Sequence, residues 1–239
     1  MAATTCHLPI RSPDKPPRPH CWAPLSLRVF FVILLVLAGC SALLIAVPAY
    51  RQKLVTREVE RLGGRIEAEP LPPPGLHGIA HYVHWFDRIR TVVLMECSVS
   101  ESILSQLVVE KNVEGLNLLG SQCGHSGYAR IGEMSDLTWL ILQATDLVDV
   151  DVHSLSRLAK LKYLDLSGTN ISDAALADLN SLNVAELSLD QTNITDSGLD
   201  FLSRMRSLRV LTVRGTHVTQ GGVERLNRHV PDVVIHWWQ

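Results

Sequence analysis

Residues 192–202 read TNITDSGLDFL, and residues 169–179 read TNISDAALADL. The near-identity poses a choice. Either an acid, hydroxyls and an Asn-x-Ser/Thr sequon have been gathered into a site, or a structural unit is being repeated. Working outward from Leu164 and Leu166, which lie just upstream, steps of about 24 residues find the same apolar pair again. The pairs are Val92/Leu94, Leu116/Leu118, Leu140/Leu142, Leu164/Leu166, Leu187/Leu189, Leu211/Val213 and a closing Val233/Ile235.

Other columns keep the same register. Three residues before the pair stand Ile89, Val113, Leu137, Leu161, Val184, Leu208 and Val230, the fifth unit being one residue short; seven beyond its first member come Val99, Cys123, Leu147, Ile171, Ile194 and Val218. Later in each unit Leu104, Tyr128, Val152, Leu176, Leu199 and Val223 are followed three residues on by Leu107, Ile131, Leu155, Leu179, Leu202 and Leu226. Apolar residues two apart share a face of a strand, and apolar residues three apart share a face of a helix. Each unit therefore reads strand, turn, helix. One unit cannot bury both faces; stacked units share a continuous core, with parallel strands about 4.8 Å apart and helices behind them.

LKYLDLSGT at 161–169 and LRVLTVRGT at 208–216 resemble the LxxLxLxxN pattern of the leucine-rich repeat family. The ITDxGLxxL continuation is similar to the cysteine-containing variety and to repeats of membrane-anchored bacterial proteins. The resemblance covers residues 89–237. It implies an α/β solenoid, a curved parallel sheet backed by short helices. In the position of the family's Asn this chain has Cys97, Ser121, Thr145, Thr169, Thr192 and Thr216. A hydroxyl makes fewer hydrogen bonds than an amide, so a turn built around it is expected. The unit at 116–139 carries Gly120, Gly124, Gly127 and Gly132, and its helix is expected to be short or absent.

The rest of the chain divides by composition. The 239 residues are 46% hydrophobic, with a mean hydropathy of +0.15. Residues 29–49, VFFVILLVLAGCSALLIAVPA, hold no charge and as a helix would extend about 31 Å, near the thickness of a hydrocarbon core. A transmembrane helix over 25–50 acting as an uncleaved signal anchor is expected, with a cleaved signal peptide ending near Ala49 as the rival. The Pro-rich tail 1–24 has few apolar side chains with which to build a core and is expected to be disordered. Residues 51–75 give a juxtamembrane helix with Val55, Val59 and Leu62 on one face, a short strand in RIEAE, and a Pro-rich spacer. Residues 76–90 are expected to cap the solenoid, with Ile79, Tyr82, Val83, Trp85 and Phe86 over its open end, ahead of the repeats at 91–239. Charge counts on the two sides of the anchor nearly tie; the short N-terminal tail favours repeats outside the cytoplasm.

The net charge is −2. Residues 70–239 carry 13 basic and 19 acidic groups, which argues against nucleic acid as a partner. Five cysteines without a CxxC pair support neither a zinc centre nor a disulfide framework.

Ser172-Asp173 and Thr195-Asp196 fall where turn becomes helix, and their oxygens are expected to cap the helix N-termini. The sequons at Asn170 and Asn193 arise from the same repeat. His77, His81 and His84 would share a helical face at a spacing that can hold a metal, and a metal-dependent enzyme or sensor is the alternative reading. Cys123 beside His125 suggests a thiol nucleophile, yet Cys123 occupies an inward column, so a buried thiol is expected. No phosphate loop, nucleophile elbow or paired carboxylate motif occurs, and neither catalysis nor a cofactor is expected.

What remains is the exposed sheet face. Its three ladders read Thr91, Gly115, Trp139, Tyr163, Glu186, Val210; Val93, Asn117, Ile141, Asp165, Ser188, Thr212; and Met95, Leu119, Gln143, Ser167, Asp190, Arg214. Met95, Leu119, Trp139, Ile141 and Tyr163 form an apolar patch expected to hold a protein partner. The competing expectations are that residues 65–88 fold over the patch, or that the repeats are a structural scaffold.

Overall fold

The computed structural model describes residues 27–69 and 88–238; the side chains of 27–28 and 41–45 lie outside that description. The chain forms two compact units, residues 1–44 and 45–239. Helix α1 runs Leu27–Arg61. The strands are β1 (Arg65–Glu69), β2 (Arg88–Val93), β3 (Gly115–Asn117), β4 (Trp139–Ile141), β5 (Tyr163–Asp165), β6 (Glu186–Ser188), β7 (Val210–Thr212) and β8 (Val234–His236). Between them lie α2 (Glu101–Val109), α3 (Gly124–Ile131), α4 (Asp149–Leu155), α5 (Asp173–Leu179), α6 (Asp196–Leu202) and α7 (Gln220–His229).

The strands form one sheet in chain order, parallel from β2 to β8. This is the leucine-rich repeat solenoid that the 24-residue beat implies. Leu116, Leu140 and Leu164 are register partners across three strands and are fully buried, as are Leu118, Leu142 and Leu166. The helical columns from Leu104 to Val223 and from Leu107 to Leu226 are buried against them.

The N-terminal edge is closed by the helix expected from Val55, Val59 and Leu62 and by the short strand expected in RIEAE, whose pairing with the first repeat the sequence does not state. Strand β1 pairs antiparallel with β2, with Glu67 opposite Thr91. Val55 and Val59 of α1 enter the core, and Leu62 and Ile66 pack against it. Of the expected cap at 76–90, residues 76–87 lie outside the described residues and 88–90 begin β2. Gly63, at φ +77°, turns the chain out of the helix into the strand.

The hydroxyl column behaves as expected of a turn. Thr145, Thr169, Thr192 and Thr216 each donate to the carbonyl three residues back, at 2.6–2.8 Å. Helix caps are present too: Ser172, Thr195 and Thr219 accept from Ala174, Ser197 and Gly222 N–H. The aspartates beside them do something else. Asp173 accepts from the N–H and the hydroxyl of Thr195 at 2.8 and 2.6 Å, Asp149 does the same for Ser172, and Asp196 for Thr219. Each carboxylate thus ties its own unit to the next one's cap. Glycine leaves room for this contact, since a Cβ at Gly198 would lie 2.3 Å from Asp173 Oδ1 and one at Gly222 would lie 2.2 Å from Asp196 Oδ1.

The glycine-rich unit corrects an expectation. Its helix α3 has eight residues against seven in α4, α5 and α6. Gly120 and Gly124 serve the turn at positive φ. Gly132 meets the carbonyl of Ser154, where a Cβ would stand 2.2 Å away. Close approach of the neighbouring helix, rather than loss of helix, explains that residue.

Among the described residues no helix is long and apolar enough to cross a membrane. The expected span at 29–49 lies within α1, with the side chains of 41–45 outside the description.

Candidate protein-binding face

The register places the ladders as the period requires. Thr91, Gly115, Trp139, Tyr163, Glu186 and Val210 are consecutive partners, and so are Val93, Asn117, Ile141, Asp165, Ser188 and Thr212. The antiparallel edge adds Glu67 to the head of the first ladder. Alternation along a strand puts these residues on the face opposite the buried Leu116, Leu140 and Leu164. Trp139, Ile141 and Tyr163 are half-buried, Leu119 likewise, and Met95 is 47% exposed. The structure therefore brings all five expected residues to one face, with Met95 and Leu119 just beyond the strand ends.

Trp139 does not stand upright. A Cβ at Gly115 would lie 2.0 Å from Trp139 Cε2 and 2.2 Å from Cζ2, so the indole lies across the glycine of the preceding rung. It thereby becomes a wall of a pocket whose other residues are Glu67, Ala68, Glu69, Arg90, Thr91 and Glu114. Arg90 bridges Glu69 at 3.0 Å and Glu114. The smallness of Gly115 was visible in the sequence; its neighbour's conformation was not.

The C-terminal half of the face is polar and internally bonded. Ser167 and Ser188 hydroxyls lie 2.7 Å apart, as do those of Ser188 and Thr212. Asp165 accepts from Ser167 N–H at 2.9 Å, and Asp190 from Arg214 N–H at 2.7 Å. Burial, then the charges of Asp165 and Glu186, push the Tyr163 hydroxyl above its ordinary pKa.

Cys123 is buried, and its thiol is pushed up to about 12 by burial first and by Asp146 next. Such a thiol stays protonated at neutral pH. His125 turns to Asp151 instead, with Nδ1 2.6 Å from Oδ1. Asp146 holds the turn, accepting from the N–H groups of Cys123 and Gly124 and from the Tyr128 hydroxyl. His77, His81 and His84 lie outside the described residues, and among the described ones no His, Cys, Asp and Glu group could hold a metal ion.

These units define a leucine-rich repeat domain, the class of fold that the sequence resembles. The family model for the leucine rich repeat matches residues 157–179, one unit of the series. No curated protein matches the chain significantly by sequence. Among solved structures, an internalin C2 from Listeria monocytogenes is similar at 14% identity over 62% of this chain and 80% of its own, with a TM-score of 0.45. A Leptospira interrogans leucine-rich repeat protein is 17% identical over 55% of this chain and 33% of its own, with a TM-score of 0.42. A plant peptide hormone receptor, RGFR1, solved in complex with RGF2, is 14% identical over 63% of this chain and 24% of its own, also at 0.42.

Proposed function

We propose that this chain is a membrane-anchored interaction module that binds another protein through the concave face of its sheet. Leucine-rich repeat proteins generally mediate protein–protein contacts. The observation that carries the reading here is the half-exposed patch of Trp139 and Tyr163, adjacent in one ladder, with Ile141 beside them and Met95 and Leu119 at the rungs' ends. Large aromatics ringed by polar groups are the side chains that most often dominate binding energy. Strand β1 lies at the sheet edge beside β2; residues 70–87, the rest of the segment expected to fold over this face, lie outside the described residues.

The test is a pair of substitutions, Trp139→Ala with Tyr163→Ala, in the full chain. Both side chains are half-exposed, so stability should fall by no more than about 3 kcal/mol. A protein recovered from membrane extracts by the wild type should be lost by the variant. Strong destabilisation with no partner recovered by either would make the aromatics an internal contact.

The anchor rests on the uncharged run 29–49 and on α1, whose apolar side chains from Val29 to Leu37 are exposed. Charge resumes at Arg51, Lys53 and Arg57. In this reading the tail faces the cytoplasm and the repeats lie outside. Protease added to intact cells should then remove the repeat domain, whereas digestion only after lysis would reverse the orientation.

A further inference from the structure

The aromatic patch is bracketed by carboxylates along one ladder. Glu67 heads it, Thr91 and Gly115 are small, Trp139 lies across Gly115, Tyr163 follows, and Glu186 comes next. Asp165 stands beside Tyr163 in the adjacent ladder. Glu67, Asp165 and Glu186 have no ion-pair partner among the described residues. By contrast Arg90 is already held between Glu69 and Glu114. Arg214 lies on β7's rung, beyond Glu186. The Tyr163 hydroxyl is raised above its ordinary pKa by burial first and then by the charges of Asp165 and Glu186, which lie on its own and the next rung.

From this bracket we infer that the concave face takes an extended basic segment of its partner, with Lys or Arg side chains at both ends and apolar side chains between them. The inference rests on the proposed use of this face and adds the chemistry of the occupant. From Glu67 to Glu186 is five rungs, about 24 Å at about 4.8 Å per strand, which an extended chain of about seven residues spans. One cation meets Glu67 against the Trp139 ring, in the pocket where Arg90 already takes Glu69 and Glu114, and the other meets Asp165 and Glu186 beside Tyr163. Aromatic faces attract cations as the carboxylates do, so the two effects act in the same direction. An acidic segment would meet unpaired carboxylates at both ends.

The experiment uses the full chain in detergent micelles and two dye-labelled, end-blocked peptides, Arg-Ser-Leu-Ser-Leu-Ser-Arg, whose Arg and Leu side chains share one face when extended, and its Glu-for-Arg counterpart, read by fluorescence anisotropy. The Arg peptide should bind at least tenfold more tightly than the Glu peptide, and added salt should weaken it. Neutralising the bracket with Glu67→Gln, Asp165→Asn and Glu186→Gln should abolish that preference, while Trp139→Ala with Tyr163→Ala should abolish binding. Equal binding of both peptides, still dependent on Trp139 and Tyr163, would overturn the basic partner and leave the concave face standing. Binding of the Arg peptide that survives both sets of substitutions would overturn the basic partner and remove the peptide from this face. No binding of either peptide also counts against the basic segment; the fate of the membrane-extract partner then judges the face separately.

Discussion

Removal of residues 230–239 lowers the stability of the repeat domain by on the order of 4 kcal/mol. Strand β8 is the last rung, with Ile235 opposite Leu211 and the His236 carbonyl accepting from Val213 N–H at 2.8 Å. Val233 is buried, Ile235 and Trp237 pack against the core, and Trp238 is exposed. A fully buried aliphatic or aromatic side chain contributes about 1.5–3 kcal/mol, and these three are buried to differing degrees. Without them Leu208, Leu211, Val213 and Leu226 lose their cover. For a domain of this size that change lowers the melting temperature by roughly 10 °C. Calorimetry of the full chain and the shortened one in detergent measures it directly. An unchanged melting temperature would make the segment a tail.

The repeats were legible because their period leaves little freedom. Once Leu164 and Leu166 are placed on the buried face of a strand, Tyr163 and Asp165 must lie on the other, and the 24-residue step carries that assignment to every rung. The make-up of the exposed face was therefore readable residue by residue. The N-terminal edge was not. Nothing in RIEAE states that it pairs antiparallel with residues 88–93, since the register is set by the buried Val92 and by Val55 and Val59 arriving from α1. For the same reason Glu67 could not be assigned to the aromatic ladder. Asp173 and Asp196 looked like ordinary capping residues, and only the distances to Thr195 and Thr219 show that they bind the next unit's cap. Local sequence specifies an aspartate at a helix start; it does not specify which neighbour has a glycine opposite.

The edge contact yields the second large effect. Val59 is fully buried in α1, and Val55 one turn earlier is nearly so. Gly64 brings the chain close beneath them, where a Cβ would stand 2.8 Å from Val59 Cγ1 and 2.7 Å from Leu94 Cδ2. Val59→Asp places a carboxylate among Leu94, Leu62 and Ile66 without a cation to meet it. Such a group costs several kcal/mol, of which about 1.5–3 is lost burial and the remainder desolvation of the charge. The substitution is expected to destabilise the domain by at least about 4 kcal/mol, with the loss concentrated at β1 and β2. Arg57→Asp, which adds an acid at an exposed position of the same helix, should change stability by less than about 0.5 kcal/mol. Hydrogen exchange of the full chain in detergent separates the two: Val59→Asp should deprotect the amides of residues 88–94 first, and Arg57→Asp should leave them as they are. If Val59→Asp leaves that protection intact, α1 is a tether that touches the repeats without closing them, and the core at Val92 and Leu94 must be covered by another segment. A fragment of this protein made for binding work should for the same reason begin before Val55, because one that starts at residue 65 leaves its first rung bare.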